Sequence, residues 1–155
     1  MSKFNLKFQN NIPEELRKQP NWVCHRDKVP VSAVTGKNAS CADSSTWCTF
    51  ETAIAYADAN DLGIGYQFSA ADDIVCIDID HCIIGKGIDD NRIKNILKEA
   101  NSYCEVSPSG TGVHIYVRGT WDSERYGNKA NLGDGMAIEV YNERRYFTVT
   151  GYKHE

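Results

Sequence analysis

The chain lacks most of the features that would assign it at a glance. None of its 155 residues falls in a repeat or a low-complexity tract, and no stretch approaches the ~20 apolar residues of a membrane-spanning helix. It has no surplus of positive charge: 17 Lys and Arg stand against 21 Asp and Glu, a net charge of -4. A module that only coats duplex DNA would be basic, so that class is disfavoured. A nucleic-acid enzyme is not, because an acidic metal site and a small basic groove can coexist beneath such a sum. The six cysteines, Cys24, Cys41, Cys48, Cys76, Cys82 and Cys104, contain no CxxC spacing, which argues against a zinc knuckle. Met1 to Lys7 lacks the apolar run of a signal peptide, so reduced thiols in a cytoplasmic protein without membrane attachment are expected.

What is present suits one compact domain: 41% hydrophobic and 25% charged residues over a length that supports a single core. The first ten residues read as loosely structured. Pro13 to Arg17 starts a short helix, with Asn11 as a candidate cap, and Asn21 to Arg26 reads as a strand. Lys28 to Ser45, rich in Gly, Ser, Thr, Asn and Pro, is expected to be a long irregular segment. Thr49 to Ala57 reads as an amphipathic helix capped by Thr49 or Thr52. Asp89 to Ala100 is a second helix, with Ile93, Ile96, Leu97 and Ala100 on one stripe. Strands are predicted over 63–68, 74–80, 103–106, 113–118, 136–141 and 146–150, the last two joined as a hairpin through Asn142-Glu143-Arg144. Several strands with few helices give an α+β domain with a mostly antiparallel central sheet flanked by helices.

The most informative segment is Ile74-Val75-Cys76-Ile77-Asp78-Ile79-Asp80-His81. On a strand, Val75, Ile77 and Ile79 share an apolar face, while Asp78 and Asp80 share the other with Cys76. Two strand rises separate the aspartates by roughly 6.6 Å, so both carboxylates can lean onto one cation or pair of cations. Neighbouring carboxylates repel unless a cation or proton compensates, and hard ions such as Mg²⁺ or Mn²⁺ prefer oxygen ligands. The alternative is that one aspartate caps the turn at His81-Cys82. The same parity recurs in Val113-His114-Ile115-Tyr116-Val117-Arg118 and in Ile138-Glu139-Val140-Tyr141. A lone His or Glu on a strand is more often simply solvated. Shared parity on three strands instead points to Asp78, Asp80, His114 and Glu139 converging on one exposed side of the sheet.

Ahead of His114 lies Ser107-Pro108-Ser109-Gly110-Thr111-Gly112, with hydroxyls, two glycines and backbone N–H groups that can cradle phosphate oxygens. It lacks the Gly-Lys-[Ser/Thr] ending of a Walker loop and is equally consistent with an ordinary tight turn. Lys28 and Lys37 flank the irregular segment, and Arg144 and Arg145 sit near the last strand. Arg145 is better placed for a ligand, since its strand is expected to pair with that of Glu139. Lys28 and Arg144 read as surface charges.

In order, Asp-Ile-Asp at 78–80, Ser-Pro-Ser-Gly-Thr-Gly-Val-His at 107–114, Ile-Glu-Val-Tyr at 138–141 and Arg-Tyr-Phe-Thr-Val-Thr-Gly at 145–151 resemble the primase–polymerase domains of phages and plasmids, within the archaeo-eukaryotic primase superfamily. Asn-Ile-Pro-Glu-Glu-Leu at 11–16, Trp22-Val23, Thr35-Gly36-Lys37 and the Ser45 to Phe50 segment are similar to that family's N-terminal part, so the resemblance spans residues 12–151. It implies one catalytic domain, an RRM-like palm over 61–151 beside a smaller α/β unit over 12–60. It also implies template-dependent nucleotidyl transfer with two Mg²⁺ or Mn²⁺ ions on Asp78, Asp80 and Glu139, and His114 contacting the triphosphate. Ser107, Ser109, Gly110, Gly112, Lys37 and Arg145 are candidate nucleotide contacts. The implied partners are deoxynucleoside and nucleoside triphosphates and a single-stranded DNA template with its primer. Relatives usually continue into a helical or helicase region needed to initiate primers, and this chain stops soon after its last motif. Two other readings compete. A replication-initiator nuclease of RRM-like fold would need the His-x-His metal pair, which His25, His81, His114 and His154 do not form. A non-catalytic nucleic-acid module would stack bases on Tyr116 and Tyr141.

Overall fold

The computed structural model describes residues 3–154. Among them are nine strands, β1 (Trp22–Arg26), β2 (Val29–Val31), β3 (Gly63–Phe68), β4 (Ile74–Asp80), β5 (Cys104–Val106), β6 (Val113–Arg118), β7 (Lys129–Gly133), β8 (Met136–Tyr141) and β9 (Arg145–Val149). The helices are α1 (Glu14–Arg17), α2 (Phe50–Asn60), α3 (Asn91–Ala100) and α4 (Ser123–Tyr126). The strands form two antiparallel sheets rather than one, in the orders β2-β1-β3-β9 and β5-β6-β4-β8-β7.

The helices begin where side chains can accept from free N–H groups. The Thr49 hydroxyl accepts from Thr52 N and starts α2, and the Asp90 carboxylate accepts from Arg92 N and starts α3. Both end on residues in the left-handed region, Asp61 at φ 56° and Asn101 at φ 42°. Asn11 does not cap α1; its amide donates to the Gly151 carbonyl, 140 positions away, and ties the first turn to the end of the chain.

Each sheet anchors its own core. Trp22, Cys24, Ile64, Tyr66 and Phe68 pack with Phe50, Ala53 and Ala57 of α2, and this cluster continues to Cys76 and Tyr116 of the second sheet and Phe147 of β9. On the other face of the second sheet, Ile79, Val113 and Ile115 meet the α3 stripe of Ile93, Ile96, Leu97 and Ala100. Each fully buried isoleucine there contributes roughly 1.5–3 kcal/mol relative to exposure.

Further expectations are corrected, and one strand was missed. Residues 142–144 are not a hairpin between partner strands: β8 pairs with β4, while β9 leaves for the first sheet and pairs with β3 from Ile64↔Val149 to Phe68↔Arg145. Alternation gives β9 an inward face but cannot say which sheet receives it. Met1 and Ser2 lie outside the described residues, but residues 3–10 are more ordered than their composition suggests, with a 3-10 helix over Leu6–Asn11. The irregular segment contains β2, paired with β1. The edge strand β7 was invisible in sequence because Lys-Ala-Asn-Leu-Gly is nearly all exposed and carries no alternating pattern.

Candidate functional site

Register builds the site. Glu105 on β5 faces His114 on β6, His114 faces Asp78 on β4, Asp78 faces Glu139 on β8, and Glu139 faces Lys129 on β7. Directly opposed residues project to the same side of a sheet, so the five form one row across all five strands. Asp80 lies two residues along β4, on the same side as Asp78. Carboxylate oxygens of Asp78, Asp80 and Glu139 lie within 4.8 Å of one another. This row does not lie on an open surface: Asp78 is only 8% exposed and His114 only 4%. Beyond them stands β9, the edge of the first sheet, whose Phe147 ring is 5.5 Å from the His114 ring.

The donor set fits a hard divalent cation such as Mg²⁺ or Mn²⁺, with three carboxylates and no sulfur. His114 Nε2 is 3.4 Å from Asp78 Oδ1, an ion-pair contact without hydrogen-bond geometry, so Oδ1 is buried with no hydrogen-bond partner. The imidazole at 3.4 Å offsets part of the cost of burying that oxygen, and a metal cation would offset the rest. Asp80 makes no hydrogen bond among the described residues that would cap the turn at His81. Glu139 is steadied by Arg145, whose Nη2 lies 3.7 Å from Oε1. The Arg145 guanidinium also sits 4.8 Å from the centre of the Tyr141 ring.

Glu105 is a residue that strand parity did not single out. It is wholly buried and accepts from the Tyr103 hydroxyl at 2.9 Å, from Thr150 N at 2.9 Å and from Gly151 N at 3.2 Å. Its Oε2 also lies 3.4 Å from His114 Nδ1. It thereby fixes the end of β9 to the second sheet and aims the imidazole at Asp78. Burial pushes the His114 pKa down, but the flanking carboxylates of Asp78 and Glu105 outweigh it and hold the value at about 9. The ring thus sits between two carboxylates that favour its protonated form. The sequence clue was available only with the register in hand, because Glu105 is opposite His114 solely through the β5–β6 pairing.

A cavity of about 730 Å³ opens over the row. Asp78, Asp80, His114, Ser107, Ser109 and Arg145 line it, as do Lys28 and Arg144, which composition alone read as surface charges. Lys37, Gly110, Gly112 and Glu139 are not among its lining residues. Lys37 is exposed in the turn that follows β2, and its carbonyl accepts from Ser32 N. The 107–112 loop offers less backbone than its composition implied. The N–H groups of Ser107, Gly110, Thr111 and Gly112 all donate within the loop, to Gly112 O, Ser107 O, Ser109 Oγ and Ser107 Oγ. Of the loop, Ser107, Pro108 and Ser109 line the cavity. Gly112 answers a packing demand, since a methyl group there would lie 2.6 Å from the Ile79 carbonyl and 3.3 Å from Asp80 Cα. A side chain at 112 would push on the strand that carries both aspartates.

No protein-family model matches the chain. It is 37% identical over 136 residues, 84% of its length, to a protein of Nitratiruptor phage NrS-1 named DNA Primase-polymerase. The chain is a homologue of part of a phage primase–polymerase. The match supports a prim-pol domain and agrees with the resemblance carried by the motifs. The chain spans about 18% of the length of that primase–polymerase. Against this background the rival base-stacking reading loses its platform. Tyr116 is only 4% exposed and packs 6.0 Å from Phe68, and the Tyr141 ring is covered by Phe147 and Arg145. No helix of the described residues is long and apolar enough to cross a membrane.

Proposed function

We propose that this chain is the nucleotidyl-transfer core of a primase–polymerase, which adds nucleotides to a primer on a single-stranded DNA template. The single observation behind this reading is the carboxylate cluster of Asp78, Asp80 and Glu139, two of which line a cavity bordered by Lys28, Arg144 and Arg145. In this reading the second sheet with α3 is an RRM-like palm, and the first sheet, in which β1 and β2 of the 12–60 segment pair with β3 and β9 of the 61–151 segment, walls the cavity.

The three carboxylates would hold two Mg²⁺ or Mn²⁺ ions. Ions bound there would supply Lewis-acid activation of the attacking hydroxyl and neutralise charge on the leaving pyrophosphate. The chain's own residues position the rest. Lys28, Arg144 and Arg145 attract the triphosphate, and the Ser107 and Ser109 hydroxyls donate to its oxygens. His114, held between Glu105 and Asp78, presents its imidazole beside the metal ligands. Phosphoryl transfer spreads negative charge over equatorial oxygens, so placed cations and donors are the main catalytic resource. Template contacts would fall chiefly on phosphates and carry little sequence information. Deoxynucleoside and nucleoside triphosphates both fit this chemistry.

Primer extension with labelled nucleotides, with and without Mn²⁺, tests the proposal. Activity should require the metal and disappear in Asp78→Ala while the circular dichroism spectrum stays unchanged. Metal-independent binding of RNA without any incorporation would favour the non-catalytic module instead.

A further inference from the structure

The cavity contains a polar group that the site described above does not use. Gln67 on β3 is wholly buried, and neither its Nε2 nor its Oε1 has a hydrogen-bond partner among the described residues. It projects from the face of β3 opposite Tyr66 and Phe68, at the floor of the cavity that Asp78 and His114 also line. Thr148 of β9 lines the same floor and is 7% exposed. The position is fixed, because Gln67 N donates to the Asn21 carbonyl at 2.8 Å. Each buried amide group left unpaired costs on the order of 1–3 kcal/mol. Methionine, of similar length, would fill the space without that cost. Glutamine is therefore a poor choice for stability and a reasonable one for a ligand.

The amide also indicates what kind of ligand atom it meets. A phosphate oxygen would accept from Nε2 but repel Oε1, and the cations that suit phosphate lie elsewhere, at Lys28, Arg144 and Arg145. An amide with both ends unpartnered fits a group that both donates and accepts. A hydroxyl does so, and so does the edge of a base. Bases differ in their donor and acceptor patterns, however, and a template-copying enzyme must take all four, whereas the sugar is common to them. We propose that Gln67, with Thr148 beside it, holds a sugar hydroxyl of the bound nucleotide and so sets which sugar the site accepts. This rests on the reading of the cavity as a nucleotide site.

The test measures Mn²⁺-dependent binding of ATP, dATP and ddATP to the full chain by calorimetry, for the wild type, Gln67→Met and Gln67→Leu, alongside metal-free thermal unfolding. Gln67→Met should unfold at the same temperature as the wild type or higher. Its affinity should fall roughly tenfold, as for one buried hydrogen bond left unmade. The loss should vanish for the nucleotide that lacks the contacted hydroxyl: ddATP if that is the 3′ group, dATP and ddATP if it is the 2′ group. An equal loss for all three nucleotides would move the contact to base or phosphate and overturn the proposal. Unchanged affinity would overturn it too, as would a loss of stability in both variants that tracks the loss of binding. If the wild type binds none of the three, the nucleotide reading itself fails. If the wild type binds and the variants bind equally well, only the role of Gln67 fails.

Discussion

Replacing Asp80 by asparagine should stabilise the metal-free protein while weakening its response to metal. Carboxylate oxygens of Asp78, Asp80 and Glu139 lie within 4.8 Å of one another. Two unit charges at that separation repel by ~0.9 kcal/mol in bulk water and ~3.5 kcal/mol at an effective dielectric constant of 20. Asp78 has His114 at 3.4 Å and Glu139 has Arg145 at 3.7 Å, whereas Asp80 has no cation within ion-pair distance among the described residues. It is also half-buried, which places the relief from losing its charge between those limits, at about 1–3 kcal/mol. For a chain of this size each kcal/mol moves Tm by ~2–4 °C, so the gain is roughly 2–12 °C. Thermal unfolding in EDTA at low ionic strength reads it directly, and added salt should shrink it. Titrating Mn²⁺ should raise Tm in the wild type by mass action and raise it less in Asp80→Asn. A variant that is less stable in EDTA would refute the reasoning, since Asp80 would then be making a stabilising contact rather than waiting for a cation.

Other outcomes follow from the same geometry. Glu105→Leu strands the His114 imidazolium and the Thr150 and Gly151 N–H groups in a buried site, and should cost about 3–5 kcal/mol in urea unfolding. Gly112→Ala forces a methyl group to 2.6 Å from the Ile79 carbonyl, so it should lower the urea midpoint and reduce metal-dependent incorporation together. Burial lowers the His25 pKa from 6.5 to about 4, so the unfolded chain binds more protons between those values. Stability from this group is therefore complete above pH 6.5 and declines as pH falls towards 4, by at most about 3 kcal/mol. Urea midpoints between pH 7 and 4.5 should show the slope, and His25→Asn should flatten it.

Much of the site was legible because it obeys a two-residue period. Apolar residues at 75, 77 and 79, at 113, 115 and 117, and at 138 and 140 oblige Asp78, Asp80, His114 and Glu139 to share the opposite parity, whatever the fold. The helices were legible for a similar reason, since α3 carries its stripe and its aspartate cap within a dozen residues. Period alone does not choose partners. It could not show that β4 lies between β6 and β8, which turns shared parity into a row of contacts. Nor could it show that β9 would abandon β8 for β3, because the two arrangements bury the same face of the same strand.

The sequence by itself placed Asp78, Asp80, His114 and Glu139 on the polar faces of strands, since that follows from local alternation. Only the tertiary structure decided that the polar face is sheltered by a second sheet, that Glu105 braces His114, and that Gln67 stands unpaired on the cavity floor. Each of these depends on residues far apart in the chain, 46 positions between Glu105 and Gly151 for example, and on burial that no local pattern encodes.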